Sequence, residues 1–573
     1  MSEHTAFVRA IHDSPEDDAL RLVFADWLGE HASESWAECV RCQVCAGALG
    51  ESDPRRNDFE DRADDLVIAH EREWLGRWAE VLVDWEFRRG FPDAVVLTPA
   101  AFVEHGGELL DELPVAGVRF VGEDGGAVTN DDIRRITRSP AFARVRRLHT
   151  SGSAGGPTPW VEAMISVRHA LSLAEIDFNE DESERGSFLP LSSGGDYLLT
   201  TMTNLPSLTR LRFGEEGPEQ MDRASATFLA RAEFAGRLEV LDLRRASVTE
   251  SAVDIVSGSA FPNLRELFFG DAECSGEPMA PCGGGGFAAR QLRVLGLGAG
   301  FSLAELGASA AGPVELHLSF RNGISSAFAS GVSDVKPAAF EAHCQSSACV
   351  ERLNQAFEAK AFTRAKEVRL IGNPWDHYAL PGDDILAAMS TPGTCPALRR
   401  LSVTGHVSDR GACAIAGSPL LGQLTSLRIA CHDVNSVGRD AFLRSPHLRG
   451  RLRELEFSRR NPLLNVVWGL ADSAGVARVR ETYLGQLSAR SVEPLLRYVA
   501  TSGLKRIRLA ATPETVTAFA TLERPANLRR LEIVDVNTGT DFGPLRRRYG
   551  PHLRALFLGG NPHGDWFDPF DPH

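Results

Sequence analysis

A short pattern, apolar-x-x-apolar-x-apolar, recurs along most of the chain and restricts what it can fold into. Clear copies stand at Leu208-Leu211-Phe213, Leu238-Leu241-Leu243, Leu264-Leu267-Phe269, Leu292-Leu295-Leu297, Leu398-Leu401-Val403, Leu424-Leu427-Ile429, Leu452-Leu455-Phe457, Leu504-Ile507-Leu509, Leu528-Leu531-Ile533 and Leu553-Leu556-Leu558. Weaker copies begin at Val115, Val145, Leu173, Pro313, Ala365 and Val479. Central residues lie mostly 24 to 30 apart, as in 401, 427 and 455. The interval from Leu316 to Val368 is 52, twice 26. Either one copy has lost its pattern there, or an irregular insertion spans about 319–364. Phe340 to Phe362 reads as helix, with Val350, Leu353 and Phe357 on one face.

The last three positions of each copy alternate, as a short strand requires. Pro206, Pro262, Pro396 and Pro551 stand two residues before the first apolar position, where proline ends a preceding helix. Segments between copies, such as Asp131 to Ile136, read as helix. A strand and a helix in about 26 residues imply parallel strands on one side and helices on the other. Helices are wider than strands, so such a stack bends with its strands inside.

These copies resemble leucine-rich repeats of the ribonuclease-inhibitor type, over residues 115–573. Leu370-Ile371-Gly372-Asn373-Pro374 and Leu558-Gly559-Gly560-Asn561-Pro562 extend to the longer family pattern. The resemblance implies that the Asn bonds backbone groups between turns, and most copies here lack it. The expected fold class is α/β: a leucine-rich-repeat solenoid, a horseshoe with parallel strands inside and helices outside, of about sixteen repeats over 113–573. A small α-helical domain is expected over 1–112.

In that first region, Ser14-Pro15-Glu16-Asp17 reads as a helix start, with Ser as cap and Pro at the first helical position. Leu20, Val23, Phe24, Trp27 and Leu28 then form one apolar face. Further helices are expected over about 34–48 and 57–82, followed by a turn at Phe87-Arg88-Arg89-Gly90-Phe91-Pro92-Asp93. Phe7, Ala10-Ile11, Pro15-Glu16-Asp17-Asp18, Arg21 to Leu28, Ala37 to Arg41, Gln43 and Phe87 to Phe91 resemble the bacterial repeat-companion domain, a module preceding repeat arrays. That resemblance implies a cap on the array and no activity. Asp17, Asp18, Arg21, Asp26, Glu38 and Arg41 are expected to form structural ion pairs.

Composition narrows the function classes. Lys and Arg number 61 against 77 Asp and Glu, a net charge of −16 that polyphosphate repels. No window approaches the ~18 apolar residues of a membrane helix. The start MSEHTAFVRAIHDSPEDD has neither a basic stretch nor a long apolar core, so a cytoplasmic location is expected. Ten cysteines in such a chain are expected to be reduced.

Three constellations carry potential chemistry. Cys39, Cys42 and Cys45 have the spacing of a zinc or iron–sulfur site. A fourth ligand is missing, and a helix spreads the three sulfurs apart, so buried thiols are expected instead. Cys431-His432-Asp433 holds the residue types of a nucleophilic triad, but adjacent residues do not converge and a loop is expected. Gly283 to Gly286 lacks the Lys-Ser/Thr of a phosphate loop. No catalytic residue, cofactor or metal is expected.

Function is therefore expected on the strand face. Its outward positions are basic at Arg119, Arg147, Arg210, Arg212, Arg369, Arg400, Arg428, Arg506, Arg508 and Arg530. They are acidic at Glu175, Asp177, Asp242, Glu266, Glu315, Glu367, Glu454, Glu456, Glu481 and Glu532. Phe268, Tyr483 and Phe557 add aromatic rings. Mixed charge with aromatics suits a protein partner rather than nucleic acid. The expected binding residues are Arg400, Arg428, Glu454, Glu456, Tyr483, Arg506, Arg508, Arg530 and Phe557. The chain is expected to be a non-enzymatic scaffold or regulator, alternatively the inhibitor or regulated target of an enzyme such as a protease or nuclease encoded nearby; the last rival is a metal or redox protein built on Cys39, Cys42 and Cys45.

Overall fold

Each of the sixteen motif copies supplies a strand that begins two residues after its first apolar position. Examples are β3 (Gly117–Phe120) after Val115, Arg400–Thr404 after Leu398 and Ala555–Leu558 after Leu553. The structure, a computed structural model, describes residues 3–49, 53–122, 128–150, 158–167, 170–178, 203–213, 220–244, 246–272, 292–299, 301, 315–320, 336–344, 347–372, 382–404, 407–430, 436–448, 452, 454–458, 481–487, 492–501, 506–523, 525, 528, 530–534, 543–549 and 555–558.

Among the described residues the architecture is mixed α/β, built on one open, mostly parallel sheet of 19 strands. The first two, β1 (Asp84–Arg88) and β2 (Phe91–Leu97), pair antiparallel. Every later pairing in the sheet is parallel, from β2 with β3 to Arg530–Val534 with Ala555–Leu558. Parallel neighbours cannot be joined by a tight turn, and among the described residues helices such as Pro99–Glu112, Gly382–Met389 and Asp409–Ala416 lie between successive strands. Burial alternates along Arg400–Thr404, where Leu401 and Val403 are buried while Arg400, Ser402 and Thr404 are half-buried, whereas Val240–Leu243 and Val294–Leu297 are buried at every position. The buried residues form a continuous apolar cluster from Leu75 to Tyr549.

The connecting helices follow from local sequence. Asn130–Arg138 opens with a capping box between Thr129 and Asp132. It turns Ile133 and Ile136 to the core and leaves Arg134 and Arg138 outward.

Within 319–364 lies a further rung of the sheet, so the first alternative, a copy that has lost its pattern, stands and the insertion is corrected. Ala339–Cys344 is a strand, parallel to Glu315–Phe320 on one side and Glu367–Gly372 on the other. The helix is confined to Ser347–Glu358, burying Val350, Leu353 and Phe357. Two effects hid this strand. Its inward residues are Phe340 and a small Ala342. The register also slips by two: Leu316 aligns with Leu295, but Leu318 aligns with Phe340. A slip of two keeps every side chain on its own face, whereas a slip of one would not.

The α-helical domain expected over 1–112 is also corrected. Its first part is helical: α1 (Glu3–Asp13), α2 (Asp18–His31), α3 (Glu34–Ala48), α4 (Pro54–Leu75) and α5 (Trp78–Val81). The following hairpin β1–β2 belongs to the sheet, as does α6 (Pro99–Glu112), which crosses from β2 to β3. The helical part has its own apolar cluster, including Phe24, Leu28, Trp36, Val40, Trp74 and Phe91. Phe91 therefore marks the seam, some twenty residues before the expected boundary. Ser14 does not cap α2. Asp17 does, accepting from the Ala19 and Leu20 amides, while Pro15 and Glu16 form a turn between α1 and α2. The buried face is Arg21, Phe24, Ala25 and Leu28, and Val23 is outward at 57% exposure.

Candidate interaction face

The parallel register gathers the outward positions into rows that cross the sheet. One row runs Arg119, His149, Asp177, Arg212, Asp242, Phe268, Gly296, His317 and Ala339. It continues through Glu367, Arg400, Ser426, Glu454, Glu481, Arg506, Arg530 and Ala555. Beside it, a second row runs Ser319, Glu341, Arg369, Ser402, Arg428, Glu456, Tyr483, Arg508, Glu532 and Phe557. All nine expected binding residues fall in these two neighbouring rows. Arg400 and Arg428 are half-buried. The side chains of Glu454, Glu456, Tyr483, Arg506, Arg508, Arg530 and Phe557 lie outside the description, and the backbone alone places them.

In the N-terminal half of the face the charges neutralise one another. Arg147 bonds Asp93, Arg212 lies 3.6 Å from Glu175, and Arg244 holds Asp242 at 2.7 Å. Arg369 lies 3.6 Å from Glu341 and 3.7 Å from Glu367, which also takes Arg400 at 2.8 Å. Burial opposes the Asp242 charge, but the Arg244 guanidinium overrides it and holds the carboxyl below its usual range. Two histidines lie in the same row. Burial lowers the pKa of His149 against the pull of Asp177, and that of His317 against the pull of Glu315.

At the centre of the row is a contact the sequence reading did not anticipate. Gly296 sits between Phe268 and His317, and a Cβ there would stand 2.2 Å from the Phe268 ring. The missing side chain lets Phe268 lie across the gap. Its ring meets His317 edge-on at 5.7 Å, with the Arg244 guanidinium 4.6 Å from its centroid. The signal was present: Leu295-Gly296-Leu297 puts the one residue without a side chain at an outward position.

The remaining constellations separate. Cys39 and Cys42 are buried within α3, and Cys45 is half-buried. Burial pushes the Cys39 and Cys42 thiols up, away from the thiolate a metal requires. Among the described residues no group of three or more His, Cys, Asp or Glu is arranged to hold a metal ion. Cys431-His432-Asp433 and Gly283 to Gly286 lie outside the described residues. Of the expected ion pairs, Arg41 joins Asp26 at 3.0 Å and also takes Glu34 at 3.1 Å, while Glu38 goes to Arg62 at 2.7 Å. Arg21 instead donates to the Pro15 carbonyl at 2.7 Å, and Asp18 lies 3.5 Å from Arg89.

No known family model matches the chain, and no curated protein matches it. No helix among the described residues is long and apolar enough to cross a membrane.

Proposed function

We propose that this chain is a leucine-rich-repeat solenoid of the ribonuclease-inhibitor type, preceded by a repeat-companion cap, and that it binds a protein partner on its strand face. It acts as a cytoplasmic, non-enzymatic scaffold or regulator, without nucleic acid or membrane as its target. The order of charge along the first row carries this reading. From Asp177 through Arg212 to Asp242 the signs alternate, and Glu367 precedes Arg400. From Glu454 onward they separate into blocks, Glu454 with Glu481 and then Arg506 with Arg530. Like charges at one register on neighbouring strands cost stability. Alternating charges need no partner, whereas blocks gain from one that presents the opposite order, cationic over Glu454 and Glu481 and anionic over Arg506 and Arg530. Six inter-strand steps from Arg400 to Ala555 span about 29 Å. Tyr483, Arg508 and Phe557 in the adjoining row supply residue types that dominate protein interfaces.

The test is affinity purification from the native host, followed by titration of the recovered partner against a triple variant, Arg506→Glu, Arg508→Glu and Arg530→Glu. The partner is expected to bind at least about tenfold more weakly, about 1.4 kcal/mol, with the unfolding midpoint of the chain retained. Unchanged affinity for every recovered partner overturns the assignment of this face.

A further inference from the structure

We propose that α1 is an acid-released clasp: it docks on the first rungs of the sheet only while His4 and His12 are uncharged, and acidification frees residues 3–13. This inference is independent of the partner-binding reading.

The geometry is that of a helix held at both ends. At its C-terminal end, Arg146 Nη1 donates to the His12 carbonyl at 2.7 Å and the Asp13 carbonyl at 3.4 Å. The guanidinium thus occupies the negative pole of the helix, where a protonated histidine would otherwise be welcome. Arg144 stands beside it, tied to α6 by the Leu110 carbonyl and the Asp111 carboxylate, both at 2.9 Å. Both cations act on the His12 ring, whose side chain is 13% exposed and whose Nε2 is buried without a hydrogen bond. Asp13, 3.9 Å away but itself 72% exposed, is the nearest carboxylate. At the other end, His4 packs edge-on against Phe24 at 5.5 Å and tilted against Trp27 at 5.9 Å, both from α2. Glu112 of α6 is the charge that faces it. Between the two histidines, Val8 and Ile11 are each 1% exposed.

Burial lowers the pKa of both histidines below 6.5. At His12, Arg146 and Arg144 add to that effect, and Asp13 and the Arg144 carbonyl only partly offset it. At His4, Glu112 works the other way and is weaker than burial. Well above pH 6.5 both rings are neutral whether α1 is docked or free, and docking has its full strength. As pH falls below that value the free helix takes up protons more readily than the docked one, so acid favours release. Release uncovers Val8 and Ile11 and the apolar residues they pack on, with Arg144 and Arg146 beside them.

Hydrogen exchange on the full chain tests this. Between about pH 7.5 and about pH 5.5, the α1 amides should lose about tenfold or more of their protection after correction for intrinsic rates, while α3 keeps its own. The double variant His4→Gln, His12→Gln should hold α1 equally well at both values. Equal protection of α1 in the unaltered chain overturns the proposal, and so does acid release that persists in the double variant. Exchange at the histidine C2 position of the unaltered chain gives each midpoint without any substitution. A midpoint for His12 at or above 6.5 overturns the proposal even where the variant fails to fold.

Discussion

At the scale of single residues, the informative positions are those where a side chain is small because a neighbour needs the space. Gly296→Ala places a methyl where the Phe268 ring lies, 2.2 Å from its nearest carbon. Phe268 must then leave its place between His317 and Arg244. The variant is expected to lose about 1–3 kcal/mol in urea unfolding, the range for overpacking. Ala342→Leu should cost a similar amount. It would restore the motif leucine to the rung that lacks it, yet Ala342 is 0% exposed beside Leu370 of the next strand, which leaves no room for the added carbons. Gly90 is constrained by its backbone as well: its φ is +86°, and a Cβ would fall 2.5 Å from the Val40 Cα. Gly90 ties the β1–β2 turn to α3, accepting from Trp36 Nε1 at 2.7 Å and donating to Gln43 Oε1 at 2.5 Å.

At the scale of elements, neighbouring helices are joined by side chains that cap across the gap. Asp383, in the helix Gly382–Met389, accepts from the Ser408 amide at 2.8 Å, the Ser408 hydroxyl at 2.6 Å and the Gly411 amide at 2.9 Å. It thereby anchors the start of Asp409–Ala416. Asp409 does the same for the next helix, accepting from the Gly438 amide at 2.9 Å. Burial alone would raise the Asp383 carboxyl, but these donors and Arg410 outweigh it and hold it below 3.8. A carboxyl lowered in the folded state stabilises above its unfolded pKa, and that stabilisation is lost as pH falls through its folded value. Protection of Asp409–Ala416 in hydrogen exchange is therefore expected to weaken below about pH 4. In Asp383→Asn it should be weaker already at neutral pH and less sensitive to acid. Strands are more legible in the sequence than helix starts because a strand here is a fixed offset from two apolar positions. A cap is a choice among nearby polar residues: Ser14 and Asp17 both qualify, and only the turn at Pro15 and Glu16 selects Asp17.

At the scale of the whole molecule, two apolar clusters meet at the β1–β2 hairpin. Trp36 and Phe91 belong to the first, with ring centroids 5.9 Å apart, and Trp85 and Val95 to the second. Trp160→Ala, deep in the second, should cost about 3–5 kcal/mol. The loss is expected to appear in hydrogen exchange of β3 and β4 (Arg147–His149) before that of α3 and α4, since subglobal opening follows contiguous packing. Equal loss of protection in both clusters would show that they open as one unit.

The repeated leucines determined, without any tertiary information, that short parallel strands would alternate with helices and which side of each strand would be buried. That information is local, since period two and a fixed offset from the motif suffice. The rung at Ala339–Cys344, the position of the seam at Phe91 and the order of charges across the strand face were decided only by the tertiary structure. Each depends on which residue on a neighbouring strand stands opposite. Register is a relation between segments some 21 to 35 residues apart, and a two-residue slip leaves the side of each residue unchanged.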